Sequence, residues 1–389
     1  MQGMAVRMSV ALVVATLVML GLVSQSAHAW GDAAIPTAVS MGDSYISGEA
    51  GRWQGNSINP LPGNDGTDRA CVGSPLCSVD QSRVYVPPSD TDGCHRSDVA
   101  EILSAPLPVV RRVNLACSGA VTDNVYRGSN GGQPQNGEAP QADQLLAVAR
   151  AYRVKIIFLS IGGNDLGFAD IVQQCFERYT AKLGPCMPSQ APALAARLPA
   201  VRLKVQKAID EVRAVMTQAG YPSGSYRLVL QGYPSVVPRA SEARYLQIDP
   251  QREIYGCPFY DTDLTWARDQ AVSQIGGMVQ AAAHARGAEF VSYANALQGH
   301  EICAKTDSEV SVGKPPSPVW SEWGRALSPS SVEQASGEIQ ELFHPNAFGQ
   351  RALGRCVTGV WNRAPGQFTC TGRGGAGPEG IVVTRTGNV

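Results

Sequence analysis

The sequence lacks the features of several large classes of protein. No stretch beyond the N-terminal region is long and apolar enough to cross a bilayer, so no integral membrane association is expected. The 32 basic and 33 acidic residues nearly cancel and form no basic stripe, so nucleic acid is not expected as a partner. The paired C-x-x-C spacing of zinc sites and any internal repeat are also absent. What remains is the composition of an ordinary globular protein, 44% hydrophobic.

The N-terminal residues have the pattern of a secretory signal peptide. A basic start at Arg7 is followed by an apolar run over 10–23 and by the small-x-small sequence Ala27-His28-Ala29. An uncleaved membrane anchor is the alternative, but the apolar run is shorter than the ~20 residues that a spanning helix needs. We therefore predict a secreted, extracellular protein with residues 1–29 as its signal, cleaved after Ala29.

Cysteine usage is consistent with export. Ten cysteines occur, an even number, and none lies in the predicted signal. Oxidising compartments favour structural disulfides, and each one stabilises the fold by a few kcal/mol because it constrains the unfolded chain. Spacing alone leaves the pairing open, and we predict that each cysteine pairs with its nearest neighbour in sequence. The predicted bridges are Cys71–Cys77, Cys94–Cys117, Cys175–Cys186, Cys257–Cys303 and Cys356–Cys370.

Strand-like and helix-like segments alternate along the chain. Near-continuous apolar, β-branched runs indicate strands buried on both faces, and they cover 37–41, 109–115, 154–161, 227–231 and 289–293. Helical spacing of apolar residues predicts helices over 141–152, 198–219, 263–286 and 346–361. This alternation predicts a layered α/β/α fold with right-handed crossovers. We expect one domain over 30–370 and a flexible, Gly-rich tail over 371–389.

Three long connections interrupt the alternation. They span 53–99, 127–139 and 294–342 and are rich in glycine, proline and polar residues. Loops of this length in a compact domain are usually functional or disordered. The predicted disulfides would pin two of the three.

The first candidate for chemistry is Ser44, in the segment Gly42-Asp43-Ser44. It follows the predicted strand 37–41, and the working site of an open α/β sheet lies just beyond the carboxyl ends of its strands. A serine on that turn exposes its hydroxyl, and backbone N–H groups beside it are suited to hold a developing oxyanion. The same tripeptide is common in turns, where Asp43 or Ser44 would only cap a helix.

Two further segments end strands at the same predicted edge of the sheet. Gly119 follows the strand 109–115, and because it has no Cβ its backbone N–H can approach a ligand closely. A tight turn beside a disulfide is the alternative for this segment. Asn164 follows two glycines after the strand 154–161, and its amide can donate a hydrogen bond into a site or cap a helix.

A serine nucleophile requires a base, because a free hydroxyl is a weak nucleophile near neutral pH. Among five histidines, His344 precedes a proline that would start the last helix, which places its imidazole on a loop. Glu341, three residues earlier, would orient the ring as the acid of a triad does. A single histidine is nevertheless more often structural than catalytic. The other four, which lie in the predicted signal, beside predicted disulfides or on a helix face, are His28, His95, His300 and His284.

Together, these four segments resemble the SGNH hydrolase (GDSL esterase/lipase) superfamily, and within it the secreted, disulfide-containing actinobacterial esterases and lipases. Ser44, Gly119, Asn164 and His344 match the family's four residue types in the family's order, over about 37–355. The resemblance implies a flavodoxin-like three-layer α/β/α sandwich with a five-stranded parallel sheet. It also implies an oxyanion hole formed by the backbone N–H groups of Ser44 and Gly119 and the Asn164 side chain. No G-x-S-x-G occurs, which excludes the nucleophile elbow of α/β-hydrolases.

One position departs from the family pattern. Many members carry aspartate three residues before the histidine, where this chain has Glu341. We expect Glu341 to be the third catalytic residue. The alternative is a backbone carbonyl, which orients the histidine in some secreted relatives.

The resemblance implies hydrolysis of carboxylic esters through a Ser44 acyl-enzyme with His344 as base, and no metal or organic cofactor. Relatives use aryl and short acyl esters, lipids including phospholipids, and acetylated polysaccharides. We expect a lipid or simple acyl ester as substrate and a monomeric protein. Tyr45 and Trp53, near the nucleophile, would line an acyl groove or pack in the core. An acyltransferase, a carbohydrate acetyl esterase and a catalytically silent binding protein are the alternatives.

Overall fold

A computed structural model of the chain describes residues 35–59, 63–73, 77–326 and 338–389. The predicted signal peptide, residues 1–29, lies outside the described residues. Among those described, no helix combines the length and the apolar character needed to cross a membrane.

A mostly parallel sheet organises the described chain. Its seven strands are β1 (Pro36–Gly42), β2 (Arg111–Asn114), β3 (Arg153–Ser160), β4 (Arg227–Gln231), β5 (Glu289–Asn295), β6 (Gln367–Thr371) and β7 (Val382–Gly387). Their order across the sheet is β2-β1-β3-β4-β5-β6-β7, and every pair is parallel except β6 with β7. Because β1 lies between β2 and β3, the chain crosses to both sides of it. The carboxyl end of β1 is therefore a topological switch point, where open α/β sheets bind ligands.

Helices cover both faces of this sheet. They are α1 (Ser44–Ser47), α2 (Glu101–Ser104), α3 (Thr122–Val125), α4 (Gln141–Ala151), α5 (Phe168–Thr180), α6 (Met187–Gln218), α7 (Gln251–Ile254), α8 (Asp261–Trp266), a π-helix (Ala267–Ala271), α9 (Val272–Ala285), α10 (Glu338–Glu341) and α11 (Ala347–Trp361). A separate two-stranded ladder pairs Cys71–Val72 with Ser78–Val79.

Residues of β3 alternate between two cores. Ile157 and Leu159 belong to the core shared with α4, α6 and α9, whereas Ile156 and Phe158 belong to the core shared with α2 and α11. All four side chains are fully buried. Burial on both faces explains the near-continuous apolar sequence of the strand and confirms the predicted α/β/α layering.

All five predicted disulfide pairings are confirmed, from Cys71–Cys77 to Cys356–Cys370. The five predicted strands are also present, with ends that differ by at most two residues. The sheet is larger than predicted, because β6 and β7 extend it beyond β5.

The structure corrects the expectation of a flexible tail over 371–389. Val382–Gly387 forms β7, which pairs antiparallel with β6, so the end of the chain closes the sheet. The Nε2 atom of the buried His300 lies 3.2 Å from the carbonyl oxygen of Arg373 and 3.0 Å from that of Ala376, which attaches the Gly-rich segment to the domain.

Two predicted helices also differ in extent. Helix α6 begins at Met187, well before the predicted 198–219, because the Asp263 carboxylate accepts hydrogen bonds from the backbone N–H groups of Cys186 (3.0 Å) and Met187 (2.9 Å). The predicted helix over 263–286 is divided into α8, the π-helix and α9. Contacts between distant segments decide both boundaries.

Candidate active site

A glycine turn brings Ser44 to the carboxyl end of β1. Gly42 has φ +133°, and a Cβ there would lie 1.8 Å from the Ser160 carbonyl oxygen, so only glycine fits. Asp43 then caps α1 by accepting a hydrogen bond from the Tyr45 backbone N–H at 3.2 Å. Ser44 is the first residue of this helix, is buried, and lines a cavity described below.

Ser44 and His344 are directly paired. Ser44 Oγ lies 2.7 Å from His344 Nε2, and His344 Nδ1 lies 2.9 Å from the carbonyl oxygen of Leu342. Because a carbonyl oxygen only accepts hydrogen bonds, Nδ1 must carry the proton, which leaves the lone pair of Nε2 facing the serine hydroxyl. This tautomer is the one that can take a proton from Ser44.

The loop that carries His344 is held on both sides. Phe343 adopts a left-handed backbone conformation (φ +58°), and its carbonyl oxygen accepts a hydrogen bond from the Tyr45 hydroxyl at 2.8 Å. Two backbone hydrogen bonds of 2.9 Å pair Arg325 with this loop. The Phe343 N–H donates to the Arg325 carbonyl, and the Arg325 N–H donates to the His344 carbonyl. The rings of Tyr45 and His344 also contact, with centroids 4.6 Å apart. The imidazole is therefore fixed in position before any substrate binds.

Burial lowers the pKa of His344 below its ordinary value, because the imidazolium would lose its hydration. The charge of Glu49 opposes this effect, as do hydrogen bonds to the backbone carbonyls of Leu342 and Glu341. The ring is consequently neutral near pH 7, as a general base must be.

The Glu341 carboxylate makes no hydrogen bond to the imidazole, which corrects the expectation that this side chain orients the ring. Its carboxylate accepts a hydrogen bond from the Trp53 indole N–H at 2.6 Å and another from the Tyr85 hydroxyl. The carboxylate is buried, and burial raises its pKa, while Arg52, Trp53 and Tyr85 lower it. The alternative weighed for this position, a backbone carbonyl at His344 Nδ1, is the arrangement found. Trp53 itself is fully buried in the core and does not line the cavity.

Two of the three predicted oxyanion donors, Gly119 and Asn164, lie on the loops after β2 and β3. The Cys117 backbone N–H donates to the Gly42 carbonyl at 3.1 Å, which places the loop of Gly119 beside the Ser44 turn. No hydrogen bond among the described residues uses the backbone N–H of Ser44 or of Gly119. Asn164 donates one amide hydrogen to the Ala120 carbonyl at 2.9 Å, and its second amide hydrogen is available to a substrate. These donors suit a negatively charged oxygen.

A hydrogen-bonded chain links the Ser44 turn to the Asn164 turn. The Tyr233 hydroxyl donates to Asp43 and accepts from the Gly163 backbone N–H, the latter at 2.9 Å. Burial raises the pKa of Asp43 to about 7, against the hydrogen bonds from Tyr233 and Tyr45, which lower it. The chain sets the spacing between the serine and the neighbouring loop.

A groove of about 560 Å³ opens over Ser44 and His344. Its walls are mainly apolar and come from α5, α9, the loop after β4 and the segment before His344. The apolar and aromatic residues that line it are Tyr45, Phe168, Ala169, Val172, Phe176, Tyr233, Pro234, Val272, Ile275, Ile339, Leu342 and Phe343. Such walls suit a hydrocarbon chain better than a sugar.

Glu49 and Tyr233 were not predicted as participants in this arrangement, and the Leu342 carbonyl was foreseen only as an unnamed backbone carbonyl. The Leu342 carbonyl has no sequence signal of its own, because any residue supplies a backbone oxygen. Glu49, five residues after Ser44, forms a buried pair with His95, its Oε1 atom 2.6 Å from Nδ1, and its charge acts on His344. Tyr233 follows strand β4, so its place at the carboxyl edge of the sheet was a usable signal.

Two groupings of cysteine and acidic side chains occur within the described residues, Cys175 with Cys186 and Asp263, and Asp92 with Cys94 and Glu138. Every cysteine in them is disulfide-bonded, so neither grouping offers a thiolate to a metal ion. Neither grouping contains a residue of the Ser44–His344 pair or a donor beside it.

The chain matches one family model and is similar to several solved structures. The model of the GDSL-like Lipase/Acylhydrolase family matches residues 41–352. Among solved structures, an extracellular lipase from Streptomyces rimosus is similar at 18% identity, 84% coverage of this chain, 98% coverage of that chain and a TM-score of 0.44. Phospholipase A1 from Streptomyces albidoflavus is similar at 21% identity, with 85% and 100% coverage and a TM-score of 0.44. The carbohydrate acetylesterase Est24 from Sinorhizobium meliloti has 12% identity, 83% and 96% coverage and a TM-score of 0.36. Comparison with curated proteins finds no match.

Proposed function

Since this chain belongs to the GDSL-like lipase/acylhydrolase family, we propose that it is a secreted serine esterase that cleaves carboxylic esters with apolar acyl groups. The observation that carries the proposal is the 2.7 Å contact between Ser44 Oγ and the unprotonated Nε2 of His344, two residues that line a mainly apolar groove. A nucleophile, its base and an acyl-binding surface occupy one place.

In the first half of the reaction, His344 Nε2 takes the Ser44 proton while Oγ attacks the ester carbonyl carbon. The oxygen of that carbonyl becomes negatively charged and is held by the backbone N–H groups of Ser44 and Gly119 and by the Asn164 amide. The tetrahedral intermediate collapses, the alcohol leaves with the proton from His344, and the acyl group stays on Ser44. The Leu342 carbonyl keeps the imidazole oriented and stabilises the imidazolium.

In the second half, a water molecule gives its proton to His344 and attacks the acyl-enzyme carbon. The same three donors hold the second oxyanion, and collapse returns the proton to Ser44 as the carboxylic acid leaves. An alcohol in place of water would make the protein an acyltransferase by the same steps. Product analysis with an added alcohol distinguishes the two, because a transferase yields a new ester and a hydrolase yields the free acid.

Export is supported by two observations. Five disulfides are characteristic of oxidising compartments, and residues 1–29 have the composition of a signal peptide. We propose that the mature chain begins at Trp30. N-terminal sequencing of protein collected from the culture medium tests this directly, since an intact leader on that protein would contradict it.

The substrate class is tested with a panel of esters and matched serine variants. Wild type is expected to hydrolyse acyl esters of lipids or aryl alcohols in preference to acetylated sugars, because the groove walls are apolar. Ser44→Ala is expected to abolish this activity. Ser47→Ala is the control: it removes a buried hydroxyl from the same helix, one bonded to backbone oxygens of Ser44 and His95. Equal activity of wild type and Ser44→Ala would refute the proposal.

A further inference from the structure

A second, smaller cavity of about 70 Å³ lies against the groove, and we call it the inner chamber. Six side chains line both cavities, so they form the partition between them: Phe168, Val172, Pro234, Val272, Ile275 and Phe343. Protein interiors are close-packed, and a void among apolar side chains loses their dispersion contacts. An unfilled apolar space next to an acyl-binding groove therefore points to a ligand that fills it.

The inner chamber is lined mainly by apolar side chains, and Asp263 is its one acidic lining residue. The Asp263 carboxylate already accepts two backbone hydrogen bonds at the start of α6. The Ser235 hydroxyl donates to the Val237 carbonyl at 2.8 Å. The Trp266 indole N–H has no hydrogen-bond partner among the described residues, so the side chains supply one neutral donor. Apolar cavities of this kind stay dry and bind hydrocarbon.

A π-helix forms one wall of the inner chamber. The segment Ala267–Ala271 interrupts the regular helix between α8 and α9, and its two terminal alanines line the chamber. Arg268, on the same segment, is buried and bonds Asn295 at 2.7 Å. Isolated π turns are rare and occur frequently at functional sites. Here the interruption sets small side chains at the chamber wall while Arg268 pairs with the end of β5.

We propose that the inner chamber receives the terminal methyl end of a long acyl chain whose carbonyl carbon lies at Ser44. The inference rests on the proposed ester hydrolysis and adds a preference for long chains over short ones. A short acyl group stays within the groove on the Ser44 side of the partition. A long chain passes the partition side chains and ends against Ala267 and Ala271.

The test is the chain-length profile of kcat/KM for p-nitrophenyl esters from acetyl to palmitoyl. Each buried methylene is expected to raise kcat/KM about four-fold in wild type. Ala271→Leu fills the inner chamber and is expected to lower kcat/KM for the palmitoyl ester by roughly 10- to 100-fold. For the butyryl ester the same variant is expected to change by less than about three-fold, because that acyl group does not reach Ala271.

Ala169→Leu is the matched control, since Ala169 lines the groove alone and its substitution should change all chain lengths alike. Ala267→Leu is a second filling variant at a half-buried position, and it decides the question if Ala271→Leu does not fold. Unchanged palmitoyl-to-butyryl ratios in the folded filling variants would overturn the inner-chamber proposal. Wild type that hydrolyses no ester through Ser44 would instead overturn the proposed function, so the two failures are distinguishable.

Discussion

Replacing Glu341 with glutamine tests whether this residue is a catalytic acid or an anchor of the His344 loop. The carboxylate is bonded to Trp53 and Tyr85 and not to the imidazole. A glutamine oxygen can still accept the Trp53 N–H, and its amide can donate to the Tyr85 oxygen, because that hydroxyl can turn its own hydrogen toward the Glu49 carbonyl. Glu341→Gln is therefore expected to keep both hydrogen bonds, and kcat should stay close to the wild-type value.

Glu341→Ala is expected to behave differently. It leaves the buried Trp53 N–H without an acceptor, which costs about 1–3 kcal/mol, and it opens a space beneath the loop. The expected loss of stability is about 2–4 kcal/mol, with a lower kcat because the Leu342 carbonyl and the imidazole lose their fixed position. Urea titration gives the first quantity, and steady-state hydrolysis of a short ester gives the second.

The two variants together test this reasoning. If Glu341 were the acid of a triad, the amide would remove the charge that supports the imidazolium and hold the wrong tautomer, and the loss in kcat would be on the order of 10⁴ for glutamine as well. A loss of that size in a folded Glu341→Gln protein would refute the anchor interpretation. A kcat near wild type, with an unchanged pH profile, would confirm it.

Three further predictions concern the site and the core. The lowered pKa of His344 predicts that kcat/KM rises with pH through an apparent pKa below the ordinary 6.5, since only the neutral ring accepts the serine proton. An apparent pKa above 6.5 in the pH profile of kcat/KM would contradict this effect of burial. Asn164→Ala removes one oxyanion donor and is expected to lower kcat by about 10²–10³, with a small fall in melting temperature because the bond to the Ala120 carbonyl is also lost. An unchanged kcat would exclude Asn164 from the oxyanion hole. Burial raises the pKa of Glu101 to about 8, against a hydrogen bond from Gln231 that lowers it, so the folded protein keeps a proton that the unfolded chain releases. Relative to Glu101→Gln, the free energy of unfolding of wild type should then fall by up to ~4 kcal/mol between about pH 5 and about pH 8, as measured by urea titration. The same pH dependence of unfolding free energy in both proteins would contradict the raised pKa.

Much of the fold could be predicted because the buried strands have a strong local signal. The apolar sequence of β3 follows from burial on both faces, and its position in the sheet agrees with its sequence. Nearest-neighbour disulfides were predictable because each closes a short or moderate loop. Strand β6 lacked such a signal, since Gln367–Thr371 is short and partly polar. Strand β7 pairs only with β6, so its place in the sheet could not be predicted without β6.

Helix boundaries were less predictable because distant residues set them. Two prolines, Pro192 and Pro199, suggest a late start for α6, yet the helix starts at Met187. The Asp263 carboxylate that caps it lies 76 residues away in sequence. The π-helix Ala267–Ala271 has an ordinary helical sequence, so only its packing reveals it.

Part of the candidate site was predictable from sequence, and part depends on packing. Ser44, Gly119, Asn164 and His344 occur in recognisable segments, and the structure brings Ser44 and His344 into contact. The partner of Nδ1 could not be chosen from sequence, because a carboxylate three residues away and a backbone carbonyl two residues away are both within reach of a histidine. Packing decides between them, since Trp53 and Tyr85 draw the Glu341 side chain into the core.

His344 is proposed to activate Ser44 as a nucleophile toward acyl groups. Intact-mass analysis after reaction with a fluorophosphonate probe measures this activation at the serine itself. One probe adduct per chain is expected, located on Ser44 by peptide mapping, absent in Ser44→Ala and formed far more slowly in His344→Ala. Labelling of wild type at another residue, or equally fast labelling of His344→Ala, would contradict it.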